Sequence, residues 1–146
     1  MTPTITRRIE SELNVNCYLQ DLKYALDHGA RLTFQEVRDV DCNRPLEFTN
    51  KFTVADLFPD ENPTDVLRRE LKTLTVEEYL GTVKDTRYPK RSDMWEFGKI
   101  YNDTDEVYIK IRVELLGKDG NHSTFVMSFH YAEKPFSQET FPYCKK

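Results

Sequence analysis

No stretch of this sequence reaches the roughly 18 consecutive apolar residues that a membrane-spanning helix requires. The opening residues, MTPTITRRIESE, carry arginines with no apolar run behind them, so no secretory signal is expected. Cysteine is scarce: Cys17, Cys42 and Cys144 are odd in number and contain no C-x-x-C pair. That pattern supports neither a disulfide framework nor a zinc ribbon, and a reducing cytoplasm is the expected location. An excess of positive charge is also missing. The formal net charge is −4, a weak argument against nucleic acid, because phosphate binding needs basic groups. No cluster of metal-ligand residues stands out, so neither a metal nor a cofactor is expected.

Aromatic residues are plentiful, with eight tyrosines, nine phenylalanines and one tryptophan among 146 residues. Disordered chains avoid such side chains, so a packed interior is expected. A chain of this length forms one domain by default and buries a core without staples.

Residues 1–12 read as a loose N-terminal arm, 13–83 as mainly helical, 94–131 as a β-meander and 132–146 as an irregular tail. From Asn14 or Asn16 the run CYLQDLKYALDH carries Leu19, Leu22, Ala25 and Leu26 on one stripe, with Gly29 placed to end the helix. RLTFQEV, from Arg31, alternates like a short strand. Residues 39–53 look irregular, and FTVADLF fits one or two helical turns. Asn62 or Thr64 opens a second clear helix, with Val66, Leu67, Leu71 and Leu74 facing inward. Thr75 and Glu78 form a capping box, which predicts a short third helix ending near Gly81 or Val83. The period then changes to two. MWEFGKIY, EVYIKIRVEL and STFVMSFHY are separated by the turn sequences N-D-T-D and G-K-D-G-N. The expected fold class is therefore α+β, with N-terminal helices packed on one face of a small C-terminal antiparallel sheet.

Alternation assigns the faces of that sheet. Val107, Ile109, Ile111, Val113 and Leu115 point to the helices, as do Phe125, Met127, Phe129, Tyr131, Trp95 and Phe97. The opposite face should carry Glu96, Gly98, Tyr108, Lys110, Arg112, Glu114, Val126, Ser128 and His130. A basic loop, K-D-T-R-Y-P-K-R-S at residues 84–92, enters at its edge with Lys84, Arg87, Lys90 and Arg91 against Asp85 alone. Such a set suits metal-free RNA phosphodiester chemistry. A base takes the 2′-OH proton, an acid protonates the leaving 5′-oxygen, and cations hold the charge on phosphorus. The same residues also fit an ordinary wet sheet face, which carries Glu, Lys, Arg and Tyr for solubility.

The stretch LKTLTVEEYLGTVKDTRYPKRSDMWEFGKIY, followed by EVYIKIRVEL and FVMSFHYAEKP, resembles the MqsR-type toxins. The shared features are Glu78 and Tyr79 on a short helix, Lys84 eleven residues before Trp95, the V-Y-I-K-I strand at 107–111 and the V-x-S-F strand at 126–129. The resemblance implies a RelE-like mRNA interferase, an RNA substrate and an antitoxin protein partner. It also implies active-site roles for Lys84 and Tyr108. Two positions depart from the pattern, Glu96 where the family has glutamine and His130 where it has lysine. Glu plus His is the pair of barnase-like ribonucleases, so the implied assignment makes Glu96 the general base and His130 the general acid. Lys84, Lys110, Arg112, Arg87 and Arg91 would then bind phosphate. The alternative is a non-catalytic module on the same fold. It would bind a protein partner through the polar face or through the aromatic tail residues Phe136, Phe141 and Tyr143.

Overall fold

Ser11, rather than Asn14 or Asn16, opens the first helix. Its hydroxyl accepts the Asn14 N–H at 3.1 Å, satisfying one of the donors that a helix start leaves bare. The computed structural model describes residues 7–114 and 122–145, so the G-K-D-G-N turn, Leu115 and the first six residues lie outside the described residues. Helix α1 (Glu12–Asp27) buries Val15, Leu19, Leu22, Ala25 and Leu26, the expected stripe plus one turn. Gly29, at φ 74°, takes the left-handed position that ends it. After β1 (Arg31–Phe34), two 3₁₀ turns lead to α2 (Asn50–Leu57), capped by the Thr49 side chain, and α3 (Pro63–Glu70), capped by Asn62.

The expected third helix is instead a strand. The capping box of Thr75 and Glu78 is formed, but it opens a single 3₁₀ turn, Val76–Glu78. The chain then enters β2 (Tyr79–Val83), whose five residues are all buried. A capping box satisfies the first turn of any helix but supplies nothing to extend it. Thr82 and Val83 are β-branched, and pairing with the next strand outweighs the local signal. Strands β3 (Met94–Tyr101), β4 (Asp105–Glu114) and β5 (Ser123–Tyr131) form the expected meander.

The fold is α+β, with its helices towards the N-terminal side. The sheet is larger than the expected meander and is not purely antiparallel. Its order is β1-β5-β4-β3-β2, and β1 runs parallel to β5. The helices cover one face, where Tyr18 of α1 stacks on Trp95 with ring centres 3.9 Å apart. The core there combines Leu22, Leu67, Leu71, Tyr79, Phe97, Ile109 and Phe129. Among the described residues, no helix is long and apolar enough to cross a membrane.

Residues 7–12 are not a loose arm. Arg8 exchanges backbone hydrogen bonds with Thr82 at 2.7 and 2.8 Å, and Arg7 crosses over Gly81 so closely that a Cβ there would lie 2.2 Å from its side chain. The C-terminal tail is equally committed. Phe136 is buried, it packs on Phe141, and both sit where a side chain on Gly98 would stand. Tyr143 stacks on Tyr79 and donates its hydroxyl hydrogen to the Glu10 carbonyl. These aromatics serve the protein's own packing, with Phe136 buried and Phe141 and Tyr143 partly exposed.

One irregularity positions everything on the open face. Lys110 pairs with Ser128 but Ile111 pairs with Val126, so Met127 is an extra residue on β5. Beside this bulge β1 has ended, and α2 takes its place. The buried Asn50 amide donates to the carbonyls of Gln35 at 2.7 Å and Met127 at 2.9 Å, and accepts from the Phe129 N–H at 3.0 Å. Thr53 accepts from the Tyr131 N–H at 2.9 Å. Backbone groups that a strand would pair are thus satisfied by two helical side chains. Replacing Asn50 by Ala strands three of them. The expected loss is about 2–4 kcal/mol of stability, read from urea unfolding midpoints; a loss near zero would contradict the clamp.

Candidate functional site

The β4 pairings bring the predicted residues together. Glu96 lies opposite Lys110, Tyr108 opposite His130, and Lys110 opposite Ser128. All five share the face away from the helices, as alternation predicts. The bulge breaks that alternation on β5, however. Val126, expected on the polar face, is fully buried in the core, while Phe125 and Met127, expected in the core, line the open face.

Glu96 does not stand as a free base. It is 5% exposed and uses both oxygens, one accepting from Arg7 Nε at 2.8 Å and the other from the Tyr108 hydroxyl. A carboxylate bound this way orients its partners rather than collecting a substrate proton. Burial opposes the Arg7 charge, but the hydrogen bond and the charge of Glu96 more than offset that and raise its pKa. Burial, and then Glu96, push the Tyr108 hydroxyl well above its ordinary value. Tyr108 therefore stays protonated and spends its proton on Glu96. Its ring stands 5.4 Å from that of His130.

His130 is also unlike its expected role. Its Nδ1 lies 2.8 Å from the Tyr131 carbonyl, which only accepts, so Nδ1 carries the hydrogen. Burial pushes the imidazole below its ordinary value; Arg44 and Arg38 push further, against Tyr131 and Glu133. A neutral ring with Nδ1–H leaves Nε2 as a lone-pair acceptor on a side chain that lines the cleft. In that state Nε2 can accept a hydrogen, whereas the expected general acid would have to carry one there.

The cleft has two adjoining hollows, of about 380 Å³ and 310 Å³. The first is lined by Tyr108, Ser128 and His130, the second by Lys84, Arg87, Phe125 and Met127. Arg38 and Lys110 line both and mark the saddle between them. Arg7, Arg44 and Lys134, also in the first hollow, are paired with Glu96, Glu133 and Glu139. Among the described residues, no carboxylate lies within ion-pair distance of Arg38, Lys84, Arg87 or Lys110. The Arg38 guanidinium donates to the Ser128 hydroxyl at 3.3 Å. Burial lowers the Lys110 pKa, and repulsion from Arg38 and Arg7 works against the attraction of Glu96. Burial also lowers that of Arg38, with Arg44 adding to it. Like charges crowded into a concave surface favour an incoming anion.

Two expected phosphate ligands are committed elsewhere. Arg112 and Asp85 are each about 5% exposed and pair at 2.7 Å, so Arg112 is a buried structural partner. Burial opposes the Asp85 charge, yet the Tyr88 N–H and Arg112 hold it below the usual carboxylate range. Arg91 is exposed outside both hollows, 3.8 Å from Glu114. Conversely, Arg7, Arg38 and Arg44 were not expected here. Arg38 and Arg44 flank R-D-V-D-C-N-R, a segment with no periodicity to orient it. Among the described residues, no group of three or more His, Cys, Asp or Glu side chains is placed to hold a metal ion.

Compared with protein-family models, curated proteins and solved structures, the chain matches none. The likeness to the MqsR-type toxins rests on the quoted segments alone.

The His130 environment has a measurable consequence. Its folded pKa lies below the ordinary 6.5, so between those two values the unfolded chain holds a proton that the folded chain refuses. The His130 contribution to stability is complete above pH 6.5 and declines as pH falls towards the folded pKa. An NMR titration should place the His130 midpoint below 6.5, and His130→Asn should remove this part of the acid sensitivity. A midpoint at or above 6.5 would contradict the neutral ring.

Proposed function

We propose that the cleft binds single-stranded RNA and cuts it by internal 2′-OH attack, making the protein an endoribonuclease. One juxtaposition carries this reading: a neutral imidazole with Nε2 open, on the same cleft as Arg38 and Lys110, neither of which is in an ion pair among the described residues. His130 Nε2 takes the proton from the ribose 2′-OH. The 2′-oxygen bonds to phosphorus while the P–O5′ bond breaks. Arg38 and Lys110 hold the phosphate and the charge that accumulates on it. The Lys110 ammonium, made more acidic by burial, gives its proton to the leaving 5′-oxygen. The products are a 2′,3′-cyclic phosphate and a 5′-hydroxyl. Glu96, Arg7 and Tyr108 form the fixed wall that sets the His130 ring. Lys84 and Arg87 extend the phosphate track into the second hollow.

The resemblance to MqsR-type toxins adds two further proposals, that mRNA is the substrate and that an antitoxin protein silences the cleft. A second reading keeps the same cleft as an anion-binding module without turnover. The commitment of Glu96 to Arg7 and Tyr108, and the net charge of −4, favour that reading.

The two readings separate on a labelled RNA oligonucleotide with chelator present. Cleavage to a cyclic phosphate is expected, abolished by a 2′-deoxy sugar at the scissile position. His130→Ala and Lys110→Ala should each lower the rate by about 10²–10⁴-fold. Unchanged cleavage in His130→Ala would overturn the mechanism, and tight RNA binding without cleavage by the native chain would establish the module.

A further inference from the structure

The bulge at Met127 leaves the second hollow with a chemistry unlike the first. Phe125 and Met127 are half-buried side chains that floor this hollow, and Tyr88, 56% exposed, lines it from the basic loop. Phe125 is anchored rather than free to swing: the Arg112 guanidinium lies 5.1 Å from its ring centre, and Arg112 is fixed by Asp85. The Gln35 side chain, on the same rim, has no hydrogen-bond partner among the described residues and offers both a donor and an acceptor. Lys84 and Arg87 stand around this apolar floor. Phosphate alone has no use for a phenyl ring and a thioether. A nucleobase does, because every base has a flat face that stacks on aromatics, an edge for an amide to read, and a phosphate on each side.

We infer that the second hollow is a nucleobase subsite, built on Phe125, Met127 and Tyr88, which seats the base next to the phosphate held at the Arg38–Lys110 saddle. This rests on the phosphate-binding reading of the cleft and narrows its substrate. The ligand must present an unstacked base, so the substrate class is single-stranded nucleic acid, and a duplex, with its bases stacked inside, does not fill the site. The first hollow, with Tyr108, Ser128 and His130, then faces the reacting ribose. Gln35 gives the subsite a means of preferring one base edge over another.

The test is equilibrium binding to the full chain of three probes of matched charge. They are a single-stranded mixed-sequence oligodeoxynucleotide, which lacks the attacking hydroxyl, its duplex, and linear polyphosphate. The native protein should bind the single strand at least about tenfold more tightly than the other two. Phe125→Leu, which keeps apolar volume but removes the ring, should lose about tenfold for the single strand and nothing for polyphosphate. Tyr88→Ala, on an exposed loop, should lose affinity for the single strand only, and serves as the second variant should Phe125→Leu unfold. Equal affinity for polyphosphate and single strand overturns the base subsite while leaving the phosphate cleft intact, as does a loss of both affinities together in Tyr88→Ala. Failure of the native protein to bind any of the three overturns the cleft and the subsite with it.

Discussion

Asn50 ties a helix to the bulge at Met127, and the placement of the site follows from that tie. Its buried amide bonds Gln35 and Met127 carbonyls and the Phe129 N–H where β1 no longer borders β5. A bulge left unpaired in the interior would strand backbone polar groups. With Asn50 in place the extra residue is stable. Val126 then turns into the core, Phe125 and Met127 turn out, and Ser128 and His130 keep the face of Lys110 and Tyr108. An in-register strand cannot do all of this, because strict alternation would place either Val126 or His130 on the wrong side.

Charge is distributed on the same logic. A chain of net charge −4 gathers Arg38, Lys84, Arg87 and Lys110 around one concavity, and among the described residues no carboxylate lies within ion-pair distance of these four. The paired cations Arg7, Arg44 and Arg112 frame that concavity and hold its walls in place. The cost of crowding like charges is borne by the fold and is relieved when an anion enters. Glu96 illustrates how position and role separate. Parity placed it on the right face, yet two partners claim its oxygens.

Periodic segments were legible in the sequence. α1 and the three meander strands carry patterns of 3.6 and two, and Glu96, Tyr108, Lys110, Ser128 and His130 share a face as parity requires. Three things were hidden. β2 lay behind a real capping box that governs only one turn. The bulge was invisible because apolar residues occupy both 125 and 126, so either register buries something apolar. Arg38 and Arg44 sit in a segment with no period, and only the tertiary fold aims them. The ionisation of His130 was not legible either, since it depends first on burial in the folded chain and then on the Tyr131 carbonyl, which opposes the shift, and on Arg44 and Arg38.

The central claim is spatial: one phosphate belongs between Arg38 and Lys110, with its ribose against His130. A crystal structure with a dinucleotide monophosphate carrying 2′-deoxyribose on the 5′ side of its phosphate tests this directly. The account predicts phosphate oxygens within hydrogen-bond distance of Arg38 and Lys110 and the sugar C2′ facing His130 Nε2. A well-ordered dinucleotide seated elsewhere, with its phosphate away from both cations, would contradict it.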